Sequence, residues 1–332
     1  MKIKYLVTNI ILFYLIAFSA ISDEVKFDSS QIELKENGNL IISYNSKTSI
    51  PAKNIEIISN KATYLKLKNI LTLEGNVIYK DLNKDIAIKS EKIIYEKEKD
   101  LLYSDGFTKI FLDNKYQIES EHIFYDRIQE LIYGNDDTII NDSENNLYKL
   151  KESYEFDIVN EIIKSKKSII IDNSNNKYIF ENLAINLKSN EIAGKEVKVE
   201  FEDSYFGNDE NDPLLKGRSA ISNDKELRVY KAVFSTCNID KKKCRGWELN
   251  SDEFNHDKER KLFEYKNAWL KLFDIKLFYV PYFNHPDPTV KRQSGFLPPI
   301  LSLSSSLGTG SATPYYWAIS QNKDITFTPK LY

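Results

Sequence analysis

The chain has 332 residues, with Lys+Arg 46 against Asp+Glu 49 and a formal net charge of −3. That length supports a sizeable core, and without a basic excess there is no electrostatic footprint for nucleic acid, which is not expected as a partner. Gly and Pro are scarce, at 11 and 9, whereas Tyr and Phe number 21 and 18, a bias that suits half-buried strands.

The N-terminus reads as a secretion signal over residues 1–22. Lys2 and Lys4 precede an uncharged apolar run from Tyr5 to Phe18, and Ala20 and Ser22 offer small residues at the −3 and −1 positions of a cleavage site before Asp23. The run is short of the about 20 apolar residues of a membrane span. An uncleaved anchor is the alternative.

A repeat of about thirty residues follows. Its three clearest copies each carry an alternating segment ending in Ser and then an aromatic-tipped strand: Ile55–Ser59 with Tyr64, Ile86–Ser90 with Tyr95, and Tyr116–Ser120 with Tyr125. The segment starts are 31 and 30 residues apart, and each stands nine residues before its aromatic. Second strands, headed by Leu40, Leu71, Leu101, Leu131, Ile162 and Ile192, keep spacings of 31, 30, 30, 31 and 30. Within segments the apolar residues alternate with period two, and turn-rich tetrads such as Glu96–Lys99 separate them. The pattern predicts an all-β stack of short strands, roughly two per repeat, that buries its apolar face only by stacking on neighbours. Two outcomes remain open at this point: walls that pack shut as an ordinary core, or walls that splay into an apolar trough.

Toward the C-terminus come two cysteines, Cys237 and Cys244, with no CxxC spacing and no companion His cluster, so no zinc site or other metal is expected. In an exported chain a disulfide is the better expectation. The three histidines, His122, His256 and His285, belong to no HExxH motif, and there is no Walker A loop or GxSxG elbow, so neither an enzyme nor a cofactor is expected. Prolines 281, 286, 288, 298 and 299 cluster where the architecture should change, since proline suits a rigid corner more than a central strand. Tyr315, Tyr316 and Trp317 read either as an interfacial aromatic girdle or as cross-strand packing.

The repeats, with fragments such as Leu73-Glu-Gly75-Asn76-Val77 before the segment ending at Ser90, resemble the organic-solvent-tolerance (OstA) domain, the jellyroll shared by lipopolysaccharide-transport proteins. The run from Cys244-Arg-Gly-Trp247 through Val280-Pro281-Tyr282-Phe283, His285-Pro286-Asp287-Pro288, Ser294-Gly295-Phe296-Leu297-Pro298 and Pro314-Tyr315-Tyr316-Trp317 resembles the junction of jellyroll and barrel in the LptD family. The resemblance implies a repeat-built OstA-like β-jellyroll, an open V-shaped sandwich, over residues 23–205. It implies the end of the jellyroll and a junction with the Cys pair and the Pro-rich segment over 206–295, and the first strands of an incomplete outer-membrane β-barrel over 296–332. A closed barrel needs at least about eight strands, so the sequence reads as a fragment.

The function implied is non-enzymatic transport and assembly of lipopolysaccharide at the outer membrane, with the jellyroll in the periplasm. Ile55, Ile57, Leu71, Leu73, Ile86, Ile88, Tyr95, Leu101, Tyr103, Ile118, Tyr125, Leu131 and Tyr133 are the candidate lipid-lining set. Pro281, His285, Pro286, Pro288, Ser294, Gly295 and Pro298 are the candidate junction residues. The implied partners are lipopolysaccharide, an LptA-like periplasmic jellyroll meeting the N-terminal edge near Val25–Leu34, and an LptE-like lipoprotein inside the full barrel. The resemblance implies that Cys237 and Cys244 bond either each other or partners far down the barrel. A soluble or anchored LptA/LptC-like carrier and a purely structural β-domain are the alternatives.

Overall fold

A computed structural model describes residues 24–202, 214–235, 246–287, 290, 292–297, 300–304 and 308–332. The expected signal segment, Cys237, Cys244, Pro288 and Pro298 lie outside the described residues. Among the described residues there is no α-helix, only three short 3-10 turns.

Nineteen strands form one antiparallel sheet in which sequence neighbours are also spatial neighbours. The first seven are β1 (Lys26–Lys35), β2 (Leu40–Ile50), β3 (Ile55–Leu65), β4 (Ile70–Asp81), β5 (Ile86–Glu96), β6 (Leu101–Leu112) and β7 (Tyr116–Asp126). Next, β8 (Leu131–Gly134) and β9 (Thr138–Asp142) together pair with β7, and β10 (Leu147–Leu150) and β11 (Tyr154–Asp157) pair back onto them. The meander resumes with β12 (Ile162–Ile171), β13 (Lys177–Asn186), β14 (Glu191–Glu200), β15 (Leu214–Ser222), β16 (Glu226–Ser235), β17 (Trp247–Asp257), β18 (Leu262–Leu272) and β19 (Ile275–Pro286). Since β14 pairs with β15, the sheet crosses the boundary expected at residue 205 and continues to Pro286.

The strands from β3 to β7 are creased at their middles. The nine-residue offset from Ile55 to Tyr64 is odd, so a regular strand would put the two on opposite faces. Both are buried, as are Ile86 with Tyr95 and Ile118 with Tyr125. The register slips between Ile58 and Lys61 in β3, Glu74 and Val77 in β4, Lys89 and Lys92 in β5, and Asp105 and Thr108 in β6. Across these points β4 and β6 each carry one residue more than the strands paired with them, so the bulges lie on β4 and β6 and bend the sheet. In β3, β5 and β7 the inward face resumes after an odd step, from Ser59 to Ala62, Ser90 to Ile93 and Ser120 to Ile123. Gly75 and Gly106 occupy the creases of β4 and β6 with φ of 76° and 92°, a region where glycine carries no Cβ penalty. In the next pair of strands the crease interrupts the ladder altogether, which is why β8 and β9 are separate, as are β10 and β11.

The angle of the crease leaves room only for small side chains, which explains the serine that ends each repeat segment. Ser59, Ser90, Thr108, Ser120, Thr138 and Ser168 are all buried there. Thr108 Oγ1 lies 3.0 Å from Ser90 Oγ, and Thr138 Oγ1 lies 2.9 Å from Ser120 Oγ. Thr108 and Thr138 also donate to the bulge carbonyls of Gly106 and Asp136 at 2.8 and 3.0 Å. The hydroxyls thereby satisfy backbone groups that the bulge removes from the ladder.

Bending brings the two halves of every strand face to face as the walls of a single folded sheet. Their turns form two rows. One contains residues 36–39, 66–69, 97–100, 127–130, 158–161 and 187–190; the other contains 51–54, 82–85, 113–115, 143–146 and 172–176. Asn69, Asp100, Glu130, Glu161 and Asn190 each close a turn of the first row at φ near 52°. The backbone joins successive turns, for example Lys97 N–H to Asn69 O at 2.9 Å and Arg127 N–H to Asp100 O at 3.1 Å.

Six short strands follow. Gly295–Phe296, Tyr315–Ser320 and Lys323–Phe327 (β20, β23 and β24) form one three-stranded sheet, and Ile300–Ser304, Gly308–Ala312 and Lys330–Leu331 (β21, β22 and β25) form another.

Enlarging a crease residue should splay the walls. Ser120→Leu should cost about 1–3 kcal/mol by overpacking, read as a lowered denaturation midpoint, whereas Ser120→Ala should cost only about 1 kcal/mol.

Candidate lipid-facing site

The inward faces of the two walls form one continuous apolar cluster that runs from Ile50 to Ala268. Ile55, Ile57, Leu71, Leu73, Ile86, Ile88, Tyr95, Ile118 and Tyr125 all belong to it and are at most 2% exposed. These nine of the predicted lining residues are brought together on one face. Contacts cross the interior from wall to wall: the Phe27 and Tyr64 rings lie 6.4 Å apart, and Tyr116 meets Phe156 edge-on at 5.5 Å.

The remaining four, Leu101, Tyr103, Leu131 and Tyr133, are half-buried on the opposite face. The inward residues beside them are Leu102 and Ile132, both fully buried. The strand heads are doubled apolar pairs, Leu101-Leu102 and Leu131-Ile132, so spacing alone fits either parity. The true inward series is Leu71, Leu102, Ile132 and Ile163. Tyr103 and Tyr133 instead sandwich Phe124 on the outer wall, at ring distances of 4.8 and 5.1 Å. His122 stacks at the end of this row, 6.3 Å from Tyr103, with Nδ1 2.8 Å from Asp136.

Where sequence allowed an open trough, the walls between β3 and β11 are in contact and the seam between the two turn rows is closed. Arg127 is buried at the seam, its Nε 2.7 Å from Asp81 Oδ2 and its Nη1 2.7 Å from Asp100 Oδ2. Lys53 Nζ reaches Asp100 Oδ1 at 3.0 Å and Tyr95 Oη at 3.0 Å. Burial alone would raise the Asp100 carboxyl, but hydrogen bonds from Tyr95, Arg127 and Lys53 outweigh it and hold the group below its ordinary value. Neither Asp81, Asp100 nor Arg127 stood out in the sequence, because each occupies an ordinary turn or strand end. Their 46- and 27-residue separations from one another become contacts only when the sheet folds over.

A groove of about 730 Å³, open to solvent, lies beside the crease of β11 to β15, lined by the exposed Glu155, Lys164, Lys166 and Lys195 as well as by Tyr154 and Leu183. At Gly194 any Cβ would stand 2.2 Å from the Phe180 ring, so glycine is required for that ring to lie where it does.

At the far edge, β19 pairs, among the described residues, with β18 alone and exposes Ile275, Leu277, Phe278, Tyr279, Tyr282 and Phe283. Pro281 and Pro286, expected at a corner, lie within this strand; an edge strand tolerates proline because half its backbone donors face away from the ladder. His285 is half-buried in the same strand, not in a turn, with Nε2 3.1 Å from Tyr265 Oη and Nδ1 2.8 Å from Pro286 O, and burial lowers its pKa. His256 Nε2 lies 2.6 Å from the buried Asp287 Oδ2. Ser294 Oγ accepts from Ala318 N–H at 3.0 Å, and Gly295 pairs with Tyr316, so these two junction residues tie into the short β20–β23 sheet. Tyr315 packs edge-on against Phe296 at 5.0 Å, while Trp317 is exposed. No described helix is long and apolar enough to cross a membrane, which leaves strands untested.

Residues 23–147 match the family model described as lipopolysaccharide-assembly, LptC-related. Among curated proteins, an LPS-assembly protein LptD of Nitrosococcus oceani is 39% identical over 99 residues, which is 30% of this chain and 13% of that protein. An LPS-assembly protein LptD of Nitrosomonas europaea is 32% identical over 149 residues, 45% of this chain and 19% of that one. The chain thus spans less than a fifth of the length of these relatives. A solved structure of LptH, described as the LptA homologous periplasmic component of a lipopolysaccharide transport device from Pseudomonas aeruginosa, covers 34% of this chain and 82% of its own at 15% identity and a TM-score of 0.30. An LptC-related domain is therefore present, on a chain similar to proteins named LptD.

Removing the seam arginine should leave Asp81 buried without its partner. Arg127→Met should cost about 3–5 kcal/mol of unfolding free energy at neutral pH. The Asp100 contribution has the sign of a depressed carboxylate: fully present above the ordinary aspartate value of about 3.9, and lost as pH falls through its lower folded value. Denaturant midpoints taken across acid pH should therefore show the gap between the parent and Asp100→Asn shrinking as pH drops.

Proposed function

We propose that this chain is the periplasmic, lipid-guiding part of a lipopolysaccharide-assembly protein, and that the interior of its folded sheet shields acyl chains on their way to the outer membrane. The observation that carries the reading is the row of inward apolar residues, Ile57, Ile88 and Ile118 among them, repeated at each pair of strands along one folded sheet. The relatives named LPS-assembly protein LptD supply the cargo class.

The physics favours such a path. Each methylene exposed to water costs about 0.8 kcal/mol, so a fourteen-carbon acyl chain in solution costs on the order of 10 kcal/mol. A row of near-identical apolar sites removes that penalty at every step without one deep well that would hold the lipid midway. No bond is made or broken, so no catalytic group or cofactor is required.

In this reading both edges of the sheet are docking ends. Among the described residues β1 pairs with β2 alone, and the other side of its backbone would add a strand from an LptA-like periplasmic jellyroll by β-augmentation. At the other end, the exposed apolar β19 and the short strands after Gly295 lead toward a barrel in the outer membrane. Ser294, Gly295, Pro281, Pro286 and His285 then belong to the junction through which lipid passes. An LptE-like lipoprotein would occupy that barrel in the full protein. Cys237 and Cys244 would staple the junction, to each other or to partners elsewhere.

A structural β-domain is the second reading, and the full burial of the interior between β3 and β11 favours it. Photo-crosslinking residues placed at 57, 88 or 118 in cells should capture lipopolysaccharide, while those at the outward Glu56 and Lys89 should not. Equal adducts at both sets, or none at any, would leave the structural reading standing.

A further inference from the structure

The closed seam repeats with the strands. Lys53 meets Asp100 at 3.0 Å, Lys84 meets Glu130 at 2.7 Å, and Lys115 meets Glu161 at 3.4 Å. The lysines are 31 and 31 residues apart and the acids 30 and 31, the spacing of the repeat itself. Every lysine comes from the second row of turns and every acid from the first, so each pair spans the mouth of the fold. Successive pairs are two strands apart, about 10 Å along the seam. Tyr116 Oη adds a 2.6 Å bond to Glu161, and Arg127 adds its two carboxylates between the first and second pairs.

The geometry points to a lateral gate: a row of ionic clasps, one for each pair of strands, that shuts the jellyroll seam and parts locally when an amphiphile moves through. This rests on the lipid-guiding function proposed above. An acyl chain inside with a bulky headgroup outside must cross the seam at some point along the path, and the seam is where the two walls hold each other by charge. Partly exposed ion pairs contribute little each and weaken with salt. That suits a closure opened one clasp at a time, with the neighbouring clasps keeping the rest shut.

The clasps grade along the seam. The Lys53 and Lys84 side chains are about a fifth exposed, whereas that of Lys115 is about half exposed. Beyond Glu161 the described turns behave differently. Asp142 and Asp172, in the turns that would supply the next partners, accept from Tyr148 and Tyr178 of their own hairpins at 2.9 and 3.1 Å. The described clasps thus span β2–β11 and end at Glu161, a direction built into the seam.

A thiol behind the clasps reads the gate without any lipid. In the full chain carrying Ile88→Cys, labelling by a water-soluble maleimide, followed at that peptide by mass spectrometry, should be slow. Adding Lys84→Glu, which sets two acids against each other, should speed it about fivefold or more. Lys84→Glu with Glu130→Lys, which restores the pair with its polarity reversed, should return it to within about twofold of the parent. Glu130→Gln serves if the like-charged variant does not fold, and should give a smaller acceleration of the same sign. Unchanged labelling in the broken-clasp variants, or a swapped variant as reactive as the broken one, would overturn the gate. Uptake of fluorophore-labelled lipopolysaccharide by the same proteins separates the two ideas. No uptake with the expected thiol pattern removes the lipid function and keeps the gate; uptake with a flat thiol pattern does the reverse.

Discussion

The constraint on which the whole molecule depends is the parity of its strands. A chain that bends double must place apolar residues from both arms of each strand into the same interior. Strict alternation does this only when the count between them is even. Here it is nine, from Ile55 to Tyr64 and again from Ile86 to Tyr95. The crease absorbs the odd step, with the extra residue of the bulge carried by the partner strands β4 and β6, and the buried hydroxyls of Ser90, Thr108, Ser120 and Thr138 line the bend. Without that adjustment Tyr64, Tyr95 and Tyr125 would face water and one arm of every strand would have no core.

Charge then decides the state of the mouth. Hydrophobic contact drives the walls together but has no preferred register along the seam. Arg127, fixed between Asp81 and Asp100, supplies one, because a guanidinium so deeply placed tolerates only the geometry that satisfies both carboxylates. The crease and the seam thus divide the work: one sets the angle of the fold, the other its closure.

Much of this was legible in the sequence. The thirty-residue period, the absence of helix, the inward identity of Ile57, Ile88 and Ile118, and the small residue at the end of each segment were all readable, since each is a local pattern. The bend was not, because the odd count falls in β3, β5 and β7 while the extra residue sits in β4 and β6, where Gly75 and Gly106 mark it. The misplacement of Leu101, Tyr103, Leu131 and Tyr133 has the same root: two apolar residues in succession fit either face, and only the strand's register settles which turns inward. The seam was invisible because its partners are 27 to 47 residues apart, between turns that any sequence reading treats as solvent-facing.

One consequence of the meander lies in how the chain acquires its structure. Every strand of the long sheet takes its ladder partners from the units immediately before and after it, so little loop entropy separates one closure from the next. Assembly can therefore begin at any hairpin and spread in both directions like a zip fastener. A local fault would arrest that spread at one unit and leave its neighbours intact, giving graded unfolding along the length in place of a single all-or-none loss.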